Sequence, residues 1–176
     1  MIILKMYKNL NKCIFFDRDG VLNKDKGYIS KVSDIQIFPK VGEAIHECNR
    51  HKYLVIIITN QSGIGRGLIT LRQLNQIHRY IKKKIAKNKA IINDIFYCPF
   101  HPTYGKGKYK KNSFDRKPKP GMLLKAIKKW KIDPKKSFMI GDKVSDRTAA
   151  KAAGLKFFFK SKKINLYKQI KLIIKN

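Results

Sequence analysis

Several polar residues stand where short apolar runs of the sequence end, and together they suit the hydrolysis of a phosphate ester. One run is followed by Asp17 and Asp19, and a later run ends at Asp142. Carboxylate oxygens are ligands that suit Mg²⁺. A phosphate-monoester hydrolase needs a nucleophile, a proton donor, a divalent cation and groups that bind the phosphoryl oxygens. These three carboxylates, with the Thr59 hydroxyl and the Lys117 ammonium, supply all four.

The chain alternates between two apolar patterns, and the alternation predicts the elements that position those groups. Continuous apolar runs predict strands at residues 13–16, 53–58, 94–98, 137–140 and 155–159. Apolar residues at intervals of three and four predict helices at 41–50, from 70 onward, at 120–131, at 146–153 and near 165–174. This order is typical of an α/β fold, a Rossmann-like parallel sheet with helices on both faces. Ligands bind at the carboxyl ends of such strands, where the candidate residues fall.

Individual residues have expected places in these elements. Thr59 and Asn60 should directly follow the second strand, and Trp130 should lie in the core. Residues 99–118, rich in Lys, Gly and Tyr, should form a loop. The long helix should bury one apolar stripe, made of Leu71, Leu74, Ile77, Ile81 and Ile85.

Length and composition are those of one folded domain, which we expect to span residues 1–176. Hydrophobic residues make up 43% of the 176 positions, enough for a core, and no apolar run reaches the roughly 20 residues that span a bilayer. No apolar leader segment follows the lysines of residues 1–12. Three widely separated cysteines argue against a disulfide framework. We therefore expect a monomeric, cytoplasmic protein with no membrane partner.

The net charge is unusual and admits two explanations. Forty-one basic residues against eleven acidic ones give a formal net charge of +30, which would suit a nucleic-acid partner. However, 34 of the basic residues are Lys, and Lys, Ile and Asn together fill 70 positions. Arg, the better ligand for phosphates and bases, is scarce. The basic residues are also spread over almost every segment, so we favour compositional drift and do not expect a nucleic-acid partner.

Four short motifs give the chain a family resemblance. The segment IFFDRDG at residues 14–20 resembles the first motif of the haloacid dehalogenase superfamily. Thr59 closes a segment similar to the second motif, Lys117 stands in one similar to the third, and residues 141–146 resemble the fourth. All four occur in the expected order across most of the chain. The resemblance implies a HAD-like fold, and no stretch of this chain is long enough for a large inserted cap domain.

The resemblance also implies a role for each of these residues. Asp17 would be the nucleophile that forms an aspartyl-phosphate, and a metal ligand. Asp19 would protonate the leaving oxygen and then activate water, with its backbone carbonyl on the metal. Asp142 would complete the protein's share of a Mg²⁺ site. Thr59 and Lys117 would bind the phosphoryl oxygens and keep the nucleophile ready for in-line attack.

Further segments narrow the resemblance to one group of the superfamily. DKGYI at 25–29, TNQSGIGRG at 59–67, YCP at 97–99 and RKPKPGM at 116–122 are similar to the D-glycero-D-manno-heptose 1,7-bisphosphate 7-phosphatases, which belong to the histidinol-phosphatase-like group. The similarity implies a small phosphorylated sugar as substrate and a step in the ADP-heptose biosynthesis that serves lipopolysaccharide core. It also implies a set of substrate contacts, namely Asn60, Gln61, Ser62, Arg66, Arg116 and Lys143.

One loop departs from this group. Many relatives bind a structural zinc before the lysine motif, through Cys-x-His and Cys-x-Cys pairs. Here Cys98 remains, but the other three ligand positions hold Phe100, Ser113 and Asp115. A zinc site wants four good ligands, so we predict no zinc. The loop is then either mobile or held by its own aromatic residues, Tyr104, Tyr109 and Phe114.

A few ionisable residues have no clear role in this scheme. Asp146 admits two interpretations, the N-terminal cap of a helix or a residue that supports the site from behind. His46, His51 and His78 lie on predicted helices or at their ends. We assign no function to these three histidines.

Three other functions stay open. Histidinol-phosphate phosphatases share the outline, but their second motif usually carries an acidic residue where Ser62 stands. Polynucleotide 3′-phosphatases also carry segments similar to 59–67 and 116–122, and the net charge would suit a DNA substrate. A catalytically inactive binding module would need none of the carboxylates, all of which are present.

Overall fold

The strands form one parallel sheet in the computed structural model, which describes residues 10–175. In chain order they are β1 (Lys12–Phe16), β2 (Tyr53–Asn60), β3 (Asp94–Cys98), β4 (Phe138–Gly141) and β5 (Lys156–Phe159). Their spatial order is β3-β2-β1-β4-β5 and every pairing is parallel. The predicted Rossmann-like α/β fold is confirmed. The reversal of strand order around β1 creates the crevice at which such sheets bind ligands.

Five helices cover the two faces of the sheet, and side-chain alternation along the strands explains why. The helices are α1 (Val41–Arg50), α2 (Leu71–Ala86), α3 (Gly121–Lys129), α4 (Val144–Ala152) and α5 (Leu166–Lys175). In β1, Ile14 and Phe16 pack with α1, α2 and α5, whereas Cys13 and Phe15 pack with α3 and α4. Successive strand residues point to opposite faces, so a strand covered on both sides must be apolar throughout.

The connections between these elements contain no cap domain within residues 10–175. Residues 17–40 hold one short 3₁₀ turn, Val32–Asp34, and the loop after β3 holds another, Gly107–Tyr109. No helix in the described part of the chain is long and apolar enough to cross a membrane.

Strand β2 extends further than expected. It ends at Asn60, so Thr59 and Asn60 belong to the strand and do not follow it. Both residues are in register with β3, Thr59 opposite Tyr97 and Asn60 opposite Cys98. The neighbouring strand therefore supplies the hydrogen bonds that prolong β2, a tertiary effect that the apolar run 53–58 did not reveal.

Helix α2 also differs from expectation at its first turn. Thr70 caps the helix: its hydroxyl accepts from the Gln73 amide at 3.1 Å, and the Gln73 side chain accepts from the Thr70 amide at 2.7 Å. Leu71 was expected in the apolar stripe, but it is 48% exposed because it precedes the part of α2 that packs on the sheet. The remaining stripe residues, Leu74, Ile77, Ile81 and Ile85, are buried as predicted.

Smaller differences occur elsewhere. The helix predicted at 120–131 starts one residue later and ends at Lys129. The helix predicted from Asp146 begins two residues earlier, at Val144. Trp130 is only partly buried: it packs against the apolar layer under α3, while its indole N–H donates to Asp94 Oδ2 at 2.9 Å.

The loop between β3 and α3 is packed through some of its aromatic residues. The rings of Phe100 and Tyr109 lie 5.9 Å apart, and those of His101 and Tyr104 lie 4.9 Å apart. Phe114 is about as exposed as Tyr104, at 58% against 60%, but among residues 10–175 its ring packs on no other aromatic ring. The prediction that Phe114 contributes to this packing is therefore wrong. Self-packing through Tyr104 and Tyr109 is the arrangement that the structure shows.

The reciprocal cap of α2 should be measurable in the stability of the protein. Replacing Thr70 by Ala removes the acceptor for the Gln73 amide, and we expect the free energy of unfolding to fall by about 1 kcal/mol. Urea denaturation monitored by circular dichroism would measure the change. Gln76→Ala, at an exposed mid-helix position, is the matched control and should change stability little. Equal effects of the two substitutions would contradict the capping role.

Candidate active site

A cavity of about 370 Å³ lies at the carboxyl ends of the central strands. Its walls contain most of the polar residues that the sequence singled out. The predicted site residues that line the cavity are Asp17, Asp19, Thr59, Asn60, Gln61, Ser62, Arg116, Lys117 and Lys143. The other lining residues are Asp25, Gly27, Tyr28, Gly63, Ser145 and Asp146. The topology therefore brings together residues that are up to 129 positions apart in the sequence, from Asp17 to Asp146.

The floor of the cavity is a buried ionic triad. The Lys117 ammonium lies 2.9 Å from Asp17 Oδ1 and 2.7 Å from Asp146 Oδ1, and it donates to the Ile58 carbonyl at 2.9 Å. All three side chains are almost fully buried. One hydrogen bond and two ion pairs therefore hold the Lys117 ammonium in place.

The triad sets the protonation properties of its members. Burial raises the pKa of Asp17 to about 6, although the Lys117 ammonium pulls it down. Burial lowers the pKa of Lys117, but the two carboxylates more than offset this, so the pKa lies above its ordinary value. Lys117 is therefore charged at neutral pH, and Asp17 is a carboxylate there. The amide of Arg18 also donates to Asp17 Oδ1 at 2.7 Å.

Three carboxylates fit a divalent cation at this place. Oxygen atoms of Asp17, Asp142 and Asp146 all lie within 4.8 Å of one another. Partial burial raises the pKa of Asp142 and the nearby Asp146 carboxylate raises it further, although Lys143 pulls it down. Gly20 makes room for this group: it has φ +86°, and a Cβ atom there would overlap the Asp142 carboxylate. A hard, all-oxygen cluster of this kind suits Mg²⁺.

Asp146 combines both interpretations that the sequence left open. Its Oδ2 accepts from the amides of Asp142 and Lys143 at 3.2 and 3.0 Å, which ties down the two residues that precede α4. Its Oδ1 pairs with Lys117. It is the third residue of α4 and not the residue before the helix, so it caps by reaching back. One side chain thus anchors both a helix and the floor of the cavity.

Asp19 is held by four donors. The Arg18 guanidinium donates to Oδ1 at 3.1 Å and to Oδ2 at 2.8 Å. Asn23 donates to Oδ1 at 2.9 Å, and Gln61 donates to Oδ2 at 3.0 Å. Gln61 also donates to the Thr59 hydroxyl at 3.0 Å. The candidate acid and the candidate phosphoryl ligand are therefore linked through one amide.

Asn60 lines the cavity, but both of its polar side-chain atoms are engaged by the backbone of Lys117. Its amide donates to the Lys117 carbonyl at 3.0 Å, and its oxygen accepts from the Lys117 amide at 3.1 Å. The peptide bond from Lys117 to Pro118 is cis. These contacts give Asn60 a role that the sequence did not indicate, which is to fix the backbone on which Lys117 stands.

The mouth of the cavity is basic. Lys143 pairs with Asp25 at 2.9 Å, and Arg116 donates to the Phe100 carbonyl at 3.2 Å. Arg66 does not line the cavity. Its guanidinium lies between two aromatic rings instead, 5.2 Å from that of Tyr28 and 4.4 Å from that of Tyr104. The predicted substrate contact of Arg66 would therefore need a change in this stacking.

Comparison with known proteins assigns this architecture to a family. The family model for haloacid dehalogenase-like hydrolases matches residues 17–154. A curated D-glycero-beta-D-manno-heptose-1,7-bisphosphate 7-phosphatase from Pasteurella multocida is 44% identical over 84% of this chain and 79% of its own length. The chain belongs to the haloacid dehalogenase-like hydrolase family.

Solved structures of this family share the fold. A crystal structure described as a HAD-like phosphatase, from Mesorhizobium loti, has a TM-score of 0.79 at 33% identity and covers 83% of this chain and 70% of its own. The D,D-heptose 1,7-bisphosphate phosphatase from B. bronchiseptica, complexed with magnesium and phosphate, has a TM-score of 0.80 at 24% identity. It covers 93% of this chain and 98% of its own.

Sequence reasoning missed two residues of this hydrolase that lie directly behind the site. Arg18 is 1% exposed and grips Asp19, and His78, to which we had assigned no function, lies 3.4 Å from Arg18. A signal for His78 was present, because it falls in the apolar stripe of α2 between Leu74 and Ile81. The individual roles that the motifs imply, and the predicted lack of zinc beside Cys98, stay predictions.

Metal affinity should depend on pH in a defined direction. Protons compete with Mg²⁺ for Asp17, whose pKa is about 6, and for Asp142, whose pKa is also raised. We expect the affinity for Mg²⁺ to fall by up to about tenfold per pH unit below about pH 6. Calorimetric titration of the substrate-free hydrolase would measure it. Asp142→Asn should bind more weakly with a shallower pH dependence, and a pH-independent affinity of the unaltered protein would contradict the assignment.

His78 should make the protein less stable in mild acid. Burial, Arg18 and Lys82 together lower the pKa of His78 to about 3, against about 6.5 in an unfolded chain. The unfolded state binds the extra proton between these values, so stability decreases as the pH falls through this window, by at most about 1.4 kcal/mol per pH unit. Urea unfolding at several pH values should show this slope, and it should be reduced in His78→Gln. Equal slopes in both proteins would contradict the prediction.

Proposed function

We propose that this hydrolase is a Mg²⁺-dependent phosphatase that removes the 7-phosphate of D-glycero-D-manno-heptose 1,7-bisphosphate, a step of the ADP-heptose biosynthesis that serves lipopolysaccharide core. The observation that carries the proposal is the buried triad, which holds the Asp17 carboxylate beside a fixed ammonium at the floor of a cavity. The substrate is that of the Pasteurella multocida relative, a heptose-1,7-bisphosphate 7-phosphatase.

In the first chemical step an oxygen of Asp17 attacks phosphorus while the bond from phosphorus to the sugar oxygen breaks. Both donors to Asp17, the Arg18 amide and Lys117, meet Oδ1. Oδ2 has no donor among residues 10–175, so it is free to act as the nucleophile. The leaving oxygen takes the proton of the Asp19 carboxyl group, which requires Asp19 to give up one of its four donors to carry that proton. The products are the sugar alcohol, an aspartyl-phosphate and the Asp19 carboxylate.

In the second step water attacks phosphorus of the aspartyl-phosphate and gives its proton to Asp19. This step releases inorganic phosphate and restores Asp17 as a carboxylate. Thr59 and Lys117 lie on the cavity wall where phosphoryl oxygens would be held. Mg²⁺ held by Asp17 and Asp142, with the Asp19 carbonyl as the expected third ligand, would neutralise charge on those oxygens.

The size and charge of the cavity support a small doubly phosphorylated substrate. A volume of about 370 Å³ is that of a metabolite-sized site. Arg116 and Lys143 stand at its wall and can attract a second phosphate group away from the reacting one. Gln61 and Ser62 also line it and offer hydrogen bonds to sugar hydroxyls. The proposal therefore keeps Gln61, Ser62, Arg116 and Lys143 as substrate contacts.

The proposal has further parts. We infer one domain over residues 1–176, since a single sheet carries apolar layers on both faces. We also infer a monomer, and a location in the cytoplasm; the three free, buried cysteines Cys13, Cys48 and Cys98 suit such a reducing compartment. The metabolite-sized cavity supports a sugar substrate over a nucleic acid.

A comparison of substrates tests this function. We expect phosphate release from heptose 1,7-bisphosphate to exceed release from histidinol phosphate and from a 3′-phosphorylated oligonucleotide by at least about a hundredfold in kcat/KM, since only the first matches both ends of the site. EDTA should abolish the activity. Asp17→Asn should lower kcat by at least about a thousandfold because it removes the nucleophile.

The matched control is Asp133→Asn, which changes an aspartate that does not line the cavity and caps a short turn before β4, at the end of that strand opposite the cavity. It should retain full activity. Preference for the oligonucleotide would reject the sugar substrate while keeping the mechanism. Full activity of Asp17→Asn would reject the mechanism.

A further inference from the structure

Arg18 is a buried cation whose charge is directed at one carboxylate. Its side chain is 1% exposed, and its Nε and Nη2 atoms donate to the two oxygens of Asp19 at 3.1 and 2.8 Å. A planar guanidinium that meets both oxygens of a carboxylate fixes its orientation as well as its charge. Burying such a cation is costly unless it is paired and its remaining donors are satisfied.

The remaining end of this guanidinium faces His78 of α2. Arg18 Nη1 lies 3.4 Å from His78 Nε2. Because arginine can only donate, Nε2 must be the accepting nitrogen, so the ring is neutral and carries its proton on Nδ1. The ring is buried, and it lies 6.0 Å from that of Tyr97. His78 thus gives the buried guanidinium an uncharged acceptor on the side away from Asp19.

We propose that Arg18 and His78 are positioning residues for Asp19: His78 orients the Arg18 guanidinium, and the guanidinium orients the Asp19 carboxyl group toward the leaving oxygen. The inference rests on the proposed phosphatase function and adds a chain of residues that begins on a helix outside the strand-end motifs. His78 is not among the residues that line the cavity, so its effect on the reaction passes through Arg18.

The proposal predicts which substrates react more slowly when the contacts from His78 through Arg18 to Asp19 are disrupted. In the first step the bond from phosphorus to the leaving oxygen breaks, and that oxygen takes a proton from Asp19. A basic leaving group needs this proton, whereas 4-nitrophenolate leaves readily without it. Misplacing Asp19 should therefore slow phenyl phosphate far more than 4-nitrophenyl phosphate, although the two substrates have nearly the same size. General loss of folded protein would slow both equally.

The experiment compares kcat/KM for these two substrates in variants of the full-length protein with Mg²⁺. This ratio reports on phosphoryl transfer to Asp17 and excludes the later hydrolysis of the aspartyl-phosphate. For His78→Leu, which removes the acceptor, we expect a loss of about tenfold with phenyl phosphate and less than about twofold with 4-nitrophenyl phosphate, a fraction of what general acid catalysis supplies. Arg18→Lys keeps the charge but loses the fork, and its losses should be larger with the same selectivity.

Two further variants separate positioning from packing. His78→Gln places an amide oxygen where Nε2 accepts, and it should restore most of the phenyl phosphate activity. Ile81→Val removes one methyl group from the buried stripe of the same helix and no polar group, and it should leave the ratio between the two substrates unchanged. Thermal unfolding of every variant would show that the folded fractions are comparable.

The outcomes are distinguishable. If His78→Leu and Arg18→Lys slow both substrates by the same factor, or slow neither, the ratio of kcat/KM values is unchanged. That outcome would overturn the positioning role while the phosphatase function stands. An unaltered protein that releases phosphate from neither aryl phosphate nor from the heptose bisphosphate would reject the phosphatase function, and the inference with it.

Discussion

Two carboxylates sharing one buried ammonium is the constraint on which the rest of the site depends. Asp17 and Asp146 both contact Lys117, and the three side chains together carry one negative charge in a place almost closed to solvent. Removing the lysine would leave two carboxylates without compensation, a change that costs about 3–5 kcal/mol for typical buried pairs. The excess negative charge is also what gives the neighbouring cluster with Asp142 its affinity for a cation. Stability without metal and affinity for metal are therefore set by the same three groups.

Three separate elements of the fold bring the residues of this triad together. Asp17 follows the central strand β1, Asp146 lies in the first turn of the helix after β4, and Lys117 comes from the loop before α3. Strands β1 and β4 are neighbours in the sheet, so their carboxyl ends deliver the two carboxylates side by side. Lys117 lies in a segment without regular structure, and two hydrogen bonds with Asn60 at the end of β2, one donated and one accepted by its side chain, fix its backbone. The position of this loop residue is therefore fixed by contacts with a strand of the sheet.

The sequence predicted most of the fold and the floor of the site, for a physical reason. A strand that is covered on both faces must be apolar along its whole length, so such strands are recognisable in the sequence. Ligands bind at the carboxyl ends of these strands, so Asp17 and Asp142 could be assigned to the site from the sequence. What the sequence could not show is contact between distant elements. The length of β2 depends on its register with β3. The burial of His78 is visible in the stripe of α2, but its partner is set by how that helix packs against the loop after β1.

The distribution of charge reconciles an acidic floor with an anionic substrate. Several carboxylates outside the site are paired with basic side chains, as Glu43 is with Lys40 and Asp94 with Lys129. The surplus of the +30 net charge therefore lies over the outer surface, while four of the eleven acidic residues gather at the strand ends. A phosphate dianion is attracted by the whole protein at distances up to about 10 Å at moderate salt. It then meets a floor whose carboxylates would repel it unless Lys117 and a bound cation compensate them. The basic outer surface thus attracts an anionic substrate from a distance. The acidic floor of the cavity restricts its binding to the protein that has bound metal.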